Sequence, residues 1–489
     1  MAQPVATFQN SLSDLVQMDA AGLSDTIRTK RASCREVMAA FLDHLERFNP
    51  KVNAIVSQRP CPALLEEADE RDRELARGQR RGWMHGFPHA VKDLAATRGL
   101  RTTWGSPLLD IVPTEDAIFI EHIRNSDAII IGKTNVPEFG MGSHTYNSIF
   151  GTTLNPWDPS KTPGGSSGGA AAALALRMLP VADGSDMMGS LRNPAAYNNI
   201  ISLRPSFGRV PSADIELFFG QLMVAGPMAR NVPDLALLLS VMAGPDARMP
   251  LSIDEDPSIF TRSLDRDFRG ARIAWLGDLG GYLSIEPGIL ELCRAALRVL
   301  EGIGCRVEES GLGFPPERMW DSWITLRHWL VVGNLGALYA DPAKRAQMKP
   351  EAVWEVEGGL KLTSQEVYQA SVTRSDLYRA VLKLFGIYEY LVLPSAQVFP
   401  FDAGLHWPKT INGITMDTYH RWMEVVVLGS MLGFPIANVP IGFSQDGLPM
   451  GMQIIGRHHA DFAVLQLAHA YDQSTHWVRD HLPPLLTSG

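Results

Sequence analysis

Three separated segments of the sequence carry side chains that can move a proton or attack a carbonyl carbon. They are HGFPHAVKDLA with Lys92, TPGGSSGG with Ser166 and GSDMMGSLRNPAA with Ser190. A serine hydroxyl is a weak nucleophile at neutral pH and needs a neighbouring base to take its proton. An uncharged lysine amine is one such base. The three segments therefore indicate acyl-transfer chemistry if the fold brings them to one place.

Lys92 ends a short apolar run, Ala90-Val91, and precedes Asp93. At the ordinary lysine pKa of about 10.4, only roughly one amine in a few thousand is neutral at pH 7. A lysine base therefore needs burial, or cationic or polar neighbours, to lose its charge. Taken alone, the segment is more typical of a strand-end lysine that pairs with Asp93, and that alternative stays open on these residues.

Ser166 lies in a glycine-rich segment that leads directly into the helix-forming run AAAALALRM. Glycines let the backbone turn tightly and present the hydroxyls at a helix N-terminus. A phosphate-binding loop would normally end in GK[ST], whereas this segment runs into alanines. A plain glycine-rich turn with Ser166 or Ser167 as helix cap stays open beside the chemical interpretation.

Ser190 follows Gly189 in a segment that must bend sharply. The peptide N–H groups before such a serine can converge on one point, which is what a nucleophile with an oxyanion hole requires. Asp186 and Arg192 flank the serine. We expect these two side chains to hold the loop through an internal ion pair rather than to act on a substrate.

The elements around these segments alternate between helical and strand-like patterns. Helical spacing over about 11–48 ends at Asn49-Pro50, and strand-like runs follow in HAVKDLA, AIIIGKT, PVADGSD and RIAWLGD, with a helix at 289–304. FPIANVPIGF and LPMGMQIIGR read as two strands joined by the turn-prone residues 444–447. This alternation predicts an α/β protein with a layered sheet covered by helices.

The pattern loosens between about 311 and 430 into aromatic-rich helices and loops. This region contains Trp320, Trp323, Trp329, Trp354, Trp407 and Trp422. We expect it to cap or border the core. An apolar pocket for an aryl or hydrophobic acyl group is one interpretation of these residues, although a tryptophan is more often a core or interface residue.

Composition excludes several classes of function. Apolar residues make up 45% of the chain, charged residues 20%, and the formal net charge is −9. The acidic balance gives no basic footprint, so nucleic acid is not an expected partner. The four cysteines show no CxxC spacing and indicate neither a disulfide framework nor a zinc site.

The apolar stretches are too short to cross a bilayer. LALLLSVMAG (235–244) is among the longest, and the N-terminal MAQPVATFQN lacks the basic start and apolar run of a signal peptide. We therefore expect no membrane partner and a cytoplasmic location.

The set AVKD, GGSSGG and GSDMMGSLRNPAA, in this order and with Ser190 24 positions after Ser166, resembles the amidase signature family. The resemblance extends over nearly the whole chain, through KTNVPEFGMGS (133–143) and NPWDPSKTPGGSSGG to FPIANVPIGF and GLPMGMQIIGR. It implies that Ser190 is the nucleophile, that Ser166 is a bridging serine on a cis peptide after Gly165, and that Lys92 is the neutral base.

The resemblance also implies further site residues. The oxyanion hole would consist of the backbone N–H groups of Met187, Met188 and Gly189. Met188 departs from the commonest form of the family, which has glycine there, so its side chain bears on the shape of the pocket. Tyr146, Asn147 and Gly165 are expected to border the substrate. The mechanism requires no cofactor and no metal, and the histidines of HGFPH and GRHH lack the HExxH arrangement of a zinc site.

The fold implied by the resemblance is a single large α/β domain over residues 1–489. Its central sheet is expected to be mixed and mostly parallel, with helices on both faces. Within it we expect N-terminal helices over about 11–80, the signature core over about 81–310, the aromatic-rich region over about 311–430, and C-terminal strands and a helix over about 431–489.

The function implied is hydrolysis of amide-type C–N bonds in amides, anilides or aryl amides, with carbamates (urethanes) as further candidate substrates. The partner would be a small-molecule amide or carbamate, and a homodimer is compatible with the sequence. Two alternatives stay open: a glutamine amidotransferase component for charged tRNA, and a catalytically silent relative that only binds ligands. An α/β-hydrolase triad is disfavoured because no histidine lies in a GxSxG elbow.

Overall fold

The protein is described by a computed structural model that covers residues 12–212 and 216–487. The segment 1–11, which includes the residues judged to lack a signal peptide, lies outside the described residues. The α-helices are α1 Leu12–Gln17, α2 Ala20–Arg28, α3 Cys34–Val52, α4 Cys61–Ala76, α5 Ile118–Asn125, α6 Gly168–Ala175, α7 Arg192–Tyr197, α8 Val232–Met242, α9 Ile289–Gly302, α10 Pro316–Ala340, α11 Pro342–Arg345, α12 Pro350–Gly359, α13 Ser364–Phe385, α14 Val427–Leu432, α15 Asp461–Thr475, α16 Trp477–Asp480 and α17 Pro484–Thr487. Short 3₁₀ helices occupy Pro107–Leu109, Glu138–Gly140, Pro257–Thr261 and Arg421–Val426.

The strands alternate with these helices along the chain. They are β1 Ile55–Val56, β2 Pro88–Lys92, β3 Ile129–Thr134, β4 Tyr146–Asn147, β5 Gly151–Thr152, β6 Ala182–Asp186, β7 Ile201–Arg204, β8 Val224–Ala229, β9 Arg272–Trp275, β10 Arg306–Glu309, β11 Tyr390–Pro394, β12 Thr410–Ile411, β13 Ile414–Thr415, β14 Ile436–Phe443 and β15 Pro449–Ile455.

The central sheet has the strand order β10-β9-β11-β15-β14-β7-β8-β6. The pairings of β9 with β10 and with β11 are parallel, and the other neighbours in the sheet pair antiparallel. The expected mixed α/β fold is thus confirmed, whereas the expectation of a mostly parallel sheet is wrong. The reason is that β14 and β15 form an antiparallel hairpin in the middle of the sheet, and the strands β7, β8 and β6 beside it also pair antiparallel.

A second, smaller sheet has the order β1-β3-β2, with β2 and β3 parallel. The runs HAVKDLA and AIIIGKT therefore form strands as predicted, but in this small sheet rather than in the central one. Strand β2 also contacts β6, the edge strand of the central sheet. Lys92 consequently ends a buried strand at the junction of the two sheets.

Two groups of helices pack on the central sheet. Helices α6 and α7 contact each other, and α7 packs on β14 and β15, whereas α8, α9 and α15 form the other contacting group. Most apolar side chains buried between these layers belong to one continuous core cluster. Among residues 12–212 and 216–487, no helix is both long and apolar enough to cross a membrane.

Helix α3 shows how the sequence sets one element and its end. Ser33 and Glu36 form a capping box at its start. The predicted end at Asn49-Pro50 is wrong, because the helix continues to Val52. Pro50 lies in the last turn, where its missing N–H removes one helical hydrogen bond, and the Asn49 side chain accepts the N–H groups of Ala54 and Ile55 beyond the helix.

The region 311–430 does more than border the core. Helix α10 packs against α12 and α13, but β11 lies inside the central sheet between β9 and β15. The buried run YLVLP was the sequence signal for this strand. Trp320, Trp323 and Trp422 are buried in the main core cluster, which confirms the structural interpretation for these three tryptophans.

Candidate active site

Lys92 points its amine at two serines. Lys92 Nζ lies 2.8 Å from Ser166 Oγ, 2.8 Å from Ser167 Oγ and 3.1 Å from the Ser185 carbonyl oxygen. Asp93 does not pair with this amine, because its carboxylate accepts hydrogen bonds from the backbone and hydroxyl of Thr103. The alternative of a strand-end Lys92–Asp93 pair is therefore wrong.

The three oxygen partners of Lys92 Nζ can accept the three N–H groups of the charged amine, and they can also satisfy the neutral amine. Burial lowers the pKa of Lys92 to about 7, against the opposing effect of the Asp186 and Asp183 carboxylates. A neutral amine has two N–H donors and one lone pair. The Ser185 carbonyl can only accept, and Ser167 Oγ, which itself donates to that carbonyl at 3.4 Å, accepts the second N–H. In the neutral form, the lone pair of Lys92 Nζ is then left to accept the Ser166 hydroxyl proton.

The Ser166 segment is held in place by hydroxyl groups from the preceding loop. The Gly165–Ser166 peptide is cis, as the resemblance implied. Ser143 Oγ donates to the Gly165 carbonyl at 2.8 Å and accepts the Gly165 N–H at 3.1 Å, while Thr145 Oγ1 donates to the Gly164 carbonyl at 2.8 Å. Both backbone groups of Gly165 are thus committed inside the protein. Ser167 precedes α6 without a capping hydrogen bond, so the helix-cap interpretation of its hydroxyl is wrong.

Ser190 lies beside the Ser166 segment. The Ser167 N–H donates to the Ser190 carbonyl at 3.3 Å, which fixes the backbones of the two segments together. The exposed fraction is 8% for Ser190, 2% for Ser166 and 1% for Lys92, so the nucleophile candidate lies nearest the solvent and the lysine lies deepest. Within the described chain, Ser190 Oγ and Ser166 Oγ do not form a hydrogen bond with each other; hydrogen bonds of this kind often tighten only when substrate is bound.

The loop before Ser190 presents free backbone donors. Among the hydrogen bonds of the described residues, none uses the N–H of Met187, Met188 or Ser190, whereas the Gly189 N–H donates to Asp186 Oδ1 at 2.9 Å. Gly189 has a φ of 81°, and a Cβ there would lie 2.2 Å from Asn193 Oδ1. The turn therefore requires glycine, and Gly189 shapes the loop while Met187 and Met188 keep the donors expected of them.

The buried Asp186 side chain holds this loop by hydrogen bonds to its backbone. Its carboxylate accepts the N–H of Leu191 at 3.1 Å in addition to that of Gly189, and it binds the guanidinium groups of Arg192 and Arg204. Burial opposes the charge, but the two arginines hold the pKa of Asp186 well below its usual range. The expected Asp186–Arg192 ion pair is confirmed, at 3.0 Å, and Arg204 is a partner that the sequence did not reveal.

The amidase family model matches residues 36–465 of this chain. The acylamidase of Rhodococcus erythropolis is 31% identical over 473 residues, covering 94% of this chain and 96% of that protein. A glutamyl-tRNA(Gln) amidotransferase component of Alkaliphilus metalliredigens is 32% identical over 470 residues, covering 91% and 94%. A crystal structure of a bacterial aryl acylamidase of the amidase signature family superimposes with a TM-score of 0.89 at 29% identity, covering 94% of this chain and 96% of that one.

This chain belongs to the amidase signature family. Membership confirms the resemblance carried by AVKD, GGSSGG and GSDMMGSLRNPAA, and it places the chain among hydrolases that act on amide bonds.

Two of the predicted pocket residues have different surroundings in this amidase. Asn147 donates to Asn135 Oδ1 and to the Val136 carbonyl, and its own Oδ1 accepts the N–H groups of Ile149 and Phe150. Its side-chain amide is therefore fully used in holding the loop.

Tyr146, in contrast, is half-buried, and its hydroxyl makes no hydrogen bond within the described residues. Its ring stacks on His406 with centroids 4.9 Å apart, and Lys349 Nζ lies 4.9 Å from the ring centroid. Lys349 Nζ also donates to the Met141 carbonyl at 3.0 Å. Gly140, the residue before Met141, lies close to Ser166, because a Cβ on Gly140 would be 3.6 Å from Ser166 Oγ. The side chains of Tyr146 and Lys349 therefore border the Ser166 segment.

A buried ion pair from the 311–430 region reaches the loop 187–189 that precedes Ser190. Arg327 Nη1 lies 3.1 Å from Met187 Sδ, while Arg327 Nε donates to Glu355 Oε1 at 2.5 Å. Tyr419 Oη accepts from Arg327 and donates to Glu355, each at 2.6 Å. Burial opposes the charge of Glu355, but Arg327 and a hydrogen bond from His328 hold its pKa below its usual range. Sequence reasoning missed this pair, because its members lie 28 positions apart on different helices with no shared motif.

Proposed function

We propose that this amidase hydrolyses the C–N bond of small uncharged amides, N-aryl amides (anilides) first among them, through an acyl-enzyme on Ser190. Ser166 bridges the proton transfer and Lys92 is the base. The observation that carries the proposal is the 2.8 Å contact between Lys92 Nζ and Ser166 Oγ in a buried site where about half of the amine is neutral at pH 7. A neutral amine beside a hydroxyl is what a base needs in order to work without histidine.

The reaction runs in two halves through one proton path. Ser190 Oγ turns about its Cα–Cβ bond towards Ser166, gives its proton to Ser166 Oγ and bonds to the carbonyl carbon, while Ser166 passes its own proton to Lys92 Nζ. The path then reverses, the proton reaches the leaving nitrogen, and the C–N bond breaks to give the ester on Ser190. Water attacks this ester by the same route, releases the acid and restores the serine.

The negative charge of the tetrahedral intermediate would develop next to free backbone donors. The N–H groups of Met187 and Met188 are unused in the described structure, and that of Ser190 is a third available donor. Preorganised donors of this kind typically contribute a factor of about 10²–10³ each to kcat. We assign Gly189 the shaping of the turn rather than direct contact with the oxyanion, because its N–H already binds Asp186.

The charges around the site favour an uncharged substrate. Arg327, the guanidinium nearest the Met187 loop, is paired with Glu355. Lys349, beside Tyr146, lies 3.8 Å from Glu351, and burial lowers the pKa of its amine. Both cations are thus compensated within the protein and are poorly placed to bind a substrate carboxylate. The names of two relatives, acylamidase and aryl acylamidase, agree with a neutral acyl amide, and aryl carbamates present the same carbonyl and leaving group.

A second candidate is the glutamine amidotransferase component. It is supported by relatives of that name at 32% identity over most of the chain. Glutamine carries both a carboxylate and an ammonium group, so the compensated Arg327 and Lys349 make it the weaker candidate. A purified chain that releases ammonia from glutamine faster than it cleaves any neutral amide would establish this second function.

The test compares an anilide, an aryl carbamate, a primary amide and glutamine, with the products identified by mass. We expect the wild type to cleave the anilide and Ser190→Ala to lose at least 10³-fold in kcat/KM. The matched control is Ser240→Ala, because the Ser240 hydroxyl donates to the Leu237 carbonyl within α8 and has no contact with the site. If Ser190→Ala left every hydrolysis unchanged, the chain would be a catalytically silent relative and the proposal would fall.

A further inference from the structure

The strand that ends in Lys92 is also held by a buried carboxylate on β6. Asp183 Oδ2 accepts the Lys92 backbone N–H at 3.2 Å, and Asp183 Oδ1 lies 3.0 Å from His89 Nε2. All three residues are at most 1% exposed. The proton path from Ser190 to Lys92 uses neither Asp183 nor His89, so the presence of this buried pair beside the base needs a reason.

The hydrogen bonds of His89 indicate its protonation state. Within the described residues, His89 Nδ1 has no hydrogen-bond partner. A charged ring would leave a buried N–H unsatisfied at Nδ1, which costs free energy. The neutral ring with its proton on Nε2 avoids this cost and donates to Asp183. The carboxylate is therefore held by two uncharged donors, from the two ends of the segment His89–Lys92.

The charges that face the Lys92 amine come from several elements. They are Asp186 and Asp183 on β6, and Arg192 on α7 and Arg204 on β7, which bind Asp186; Lys133 on β3 instead donates to the Ala95 carbonyl and to Thr97. Asp93 bonds to Thr103, and Asp186 is matched by two guanidinium groups. Of the two carboxylates that act on Lys92, Asp183 is the one bound by uncharged donors, the His89 ring and a backbone N–H. Its charge is therefore available to act on Lys92 and Lys133.

We propose that Asp183, oriented by His89, is a positioning residue for Lys92 that fixes the strand end and stabilises the ammonium formed during the reaction. This inference rests on the proposed function. One proton moves from Ser166 Oγ to Lys92 Nζ as Ser190 attacks, so a positive charge appears in a site without solvent. A carboxylate already in place next to that site lowers the energy of the charge without having to reorganise.

The principal test is the pH dependence of anilide hydrolysis by Asp183→Asn. Asparagine keeps the size and an acceptor for the Lys92 N–H but removes the charge. We expect the acidic limb of kcat/KM to move to lower pH by about one unit, and the plateau of kcat to fall about three- to tenfold, because the lysine becomes a weaker base. A uniform loss of activity with the limb unmoved would mean a purely structural role and would overturn the inference.

A pair of His89 variants tests the same idea without removing the carboxylate. His89→Gln can place an N–H donor near the position of Nε2, whereas His89→Leu cannot. We expect His89→Leu to shift the limb in the same direction as Asp183→Asn and His89→Gln to restore the wild-type limb. Equal profiles for the two His89 variants would contradict the orienting role of His89, even if Asp183→Asn failed to fold.

Asp234→Asn serves as the control for the loss of a buried carboxylate. Asp234 accepts the N–H groups of Ala20 and Ala21 in the helical layer, and we expect this variant to leave the limb unmoved. The outcomes also separate the two proposals. If Ser190→Ala remains active, the proposed function fails; if Ser190→Ala is inactive but the limb of Asp183→Asn does not move, only the role of Asp183 fails.

Discussion

The lowered pKa of Lys92 predicts how kcat/KM for hydrolysis depends on pH. Burial lowers its pKa from 10.5 to about 7, which corresponds to about 5 kcal/mol against the charged form. The neutral fraction then rises from about one tenth at pH 6 to about nine tenths at pH 8, instead of staying near one in a few thousand at pH 7. Since the neutral amine is the active form, kcat/KM should rise with pH at unit slope and level off above about pH 7.

The assay is the initial rate of anilide hydrolysis between pH 5 and 9 at constant ionic strength. Lys133 is a necessary control, because burial also lowers its pKa, to about 8, although it binds the Ala95 carbonyl and Thr97 rather than the serines. Lys133→Met should retain the limb, whereas Lys92→Met should have no activity to titrate. A flat profile over this range, or a midpoint above pH 9, would refute the reasoning.

The lowered pKa of Lys92 also makes the free energy of unfolding depend on pH. Its folded pKa lies below its unfolded value, so between pH 7 and 10.5 the unfolded chain binds more protons than the folded protein. The contribution of this group to the free energy of unfolding should therefore increase as the pH rises through that window. This increase should be absent from Lys92→Met when the two proteins are compared by urea unfolding at pH 7 and pH 9.

Three further substitutions test the loop before Ser190. Asp186→Asn should lower the free energy of unfolding by about 3–5 kcal/mol, because Arg192 and Arg204 lose their buried partner. The control Asp110→Asn, in an exposed ion pair, should change it by less than about 1 kcal/mol. Similar values for the two variants would contradict the role of Asp186 in holding the loop. Met187→Leu keeps the backbone donor and should change kcat by less than about threefold, so a loss of 10²-fold would show that the side chain acts. Met188→Gly should lower stability by about 2–5 kcal/mol in thermal or urea unfolding, because this side chain is only 3% exposed in the core, and an unchanged stability would contradict that packing.

The sequence was most informative where a local pattern sets both the backbone and the chemistry. Lys92 ends an apolar run, Ser166 lies among glycines before a helix, and Ser190 follows a glycine in a sharp turn; each of these features is readable within about ten residues. The fold brings the three segments together, with the lysine deepest and Ser190 nearest the solvent.

The sequence did not predict features that depend on contacts between distant parts of the chain. The antiparallel majority of the central sheet follows from where the β14–β15 hairpin inserts and from how β7, β8 and β6 pair beside it, which no single strand pattern encodes. Arg327 reaches Met187 across 140 positions, and Asp183 meets His89 across 94. The bond from Gly189 to Asp186 depends on the exact path of one turn, so a family pattern alone could not reveal that this donor is already used.

The most direct measurement is the mass of the protein during turnover of a slowly released substrate such as an aryl carbamate. We predict an adduct with the mass of the alkoxycarbonyl group that remains after the arylamine leaves, mapped by peptide digestion to Ser190, that disappears in Ser190→Ala and is retained in Ser240→Ala. An adduct on another residue, or steady turnover by Ser190→Ala, would contradict the assignment of Ser190 as the nucleophile.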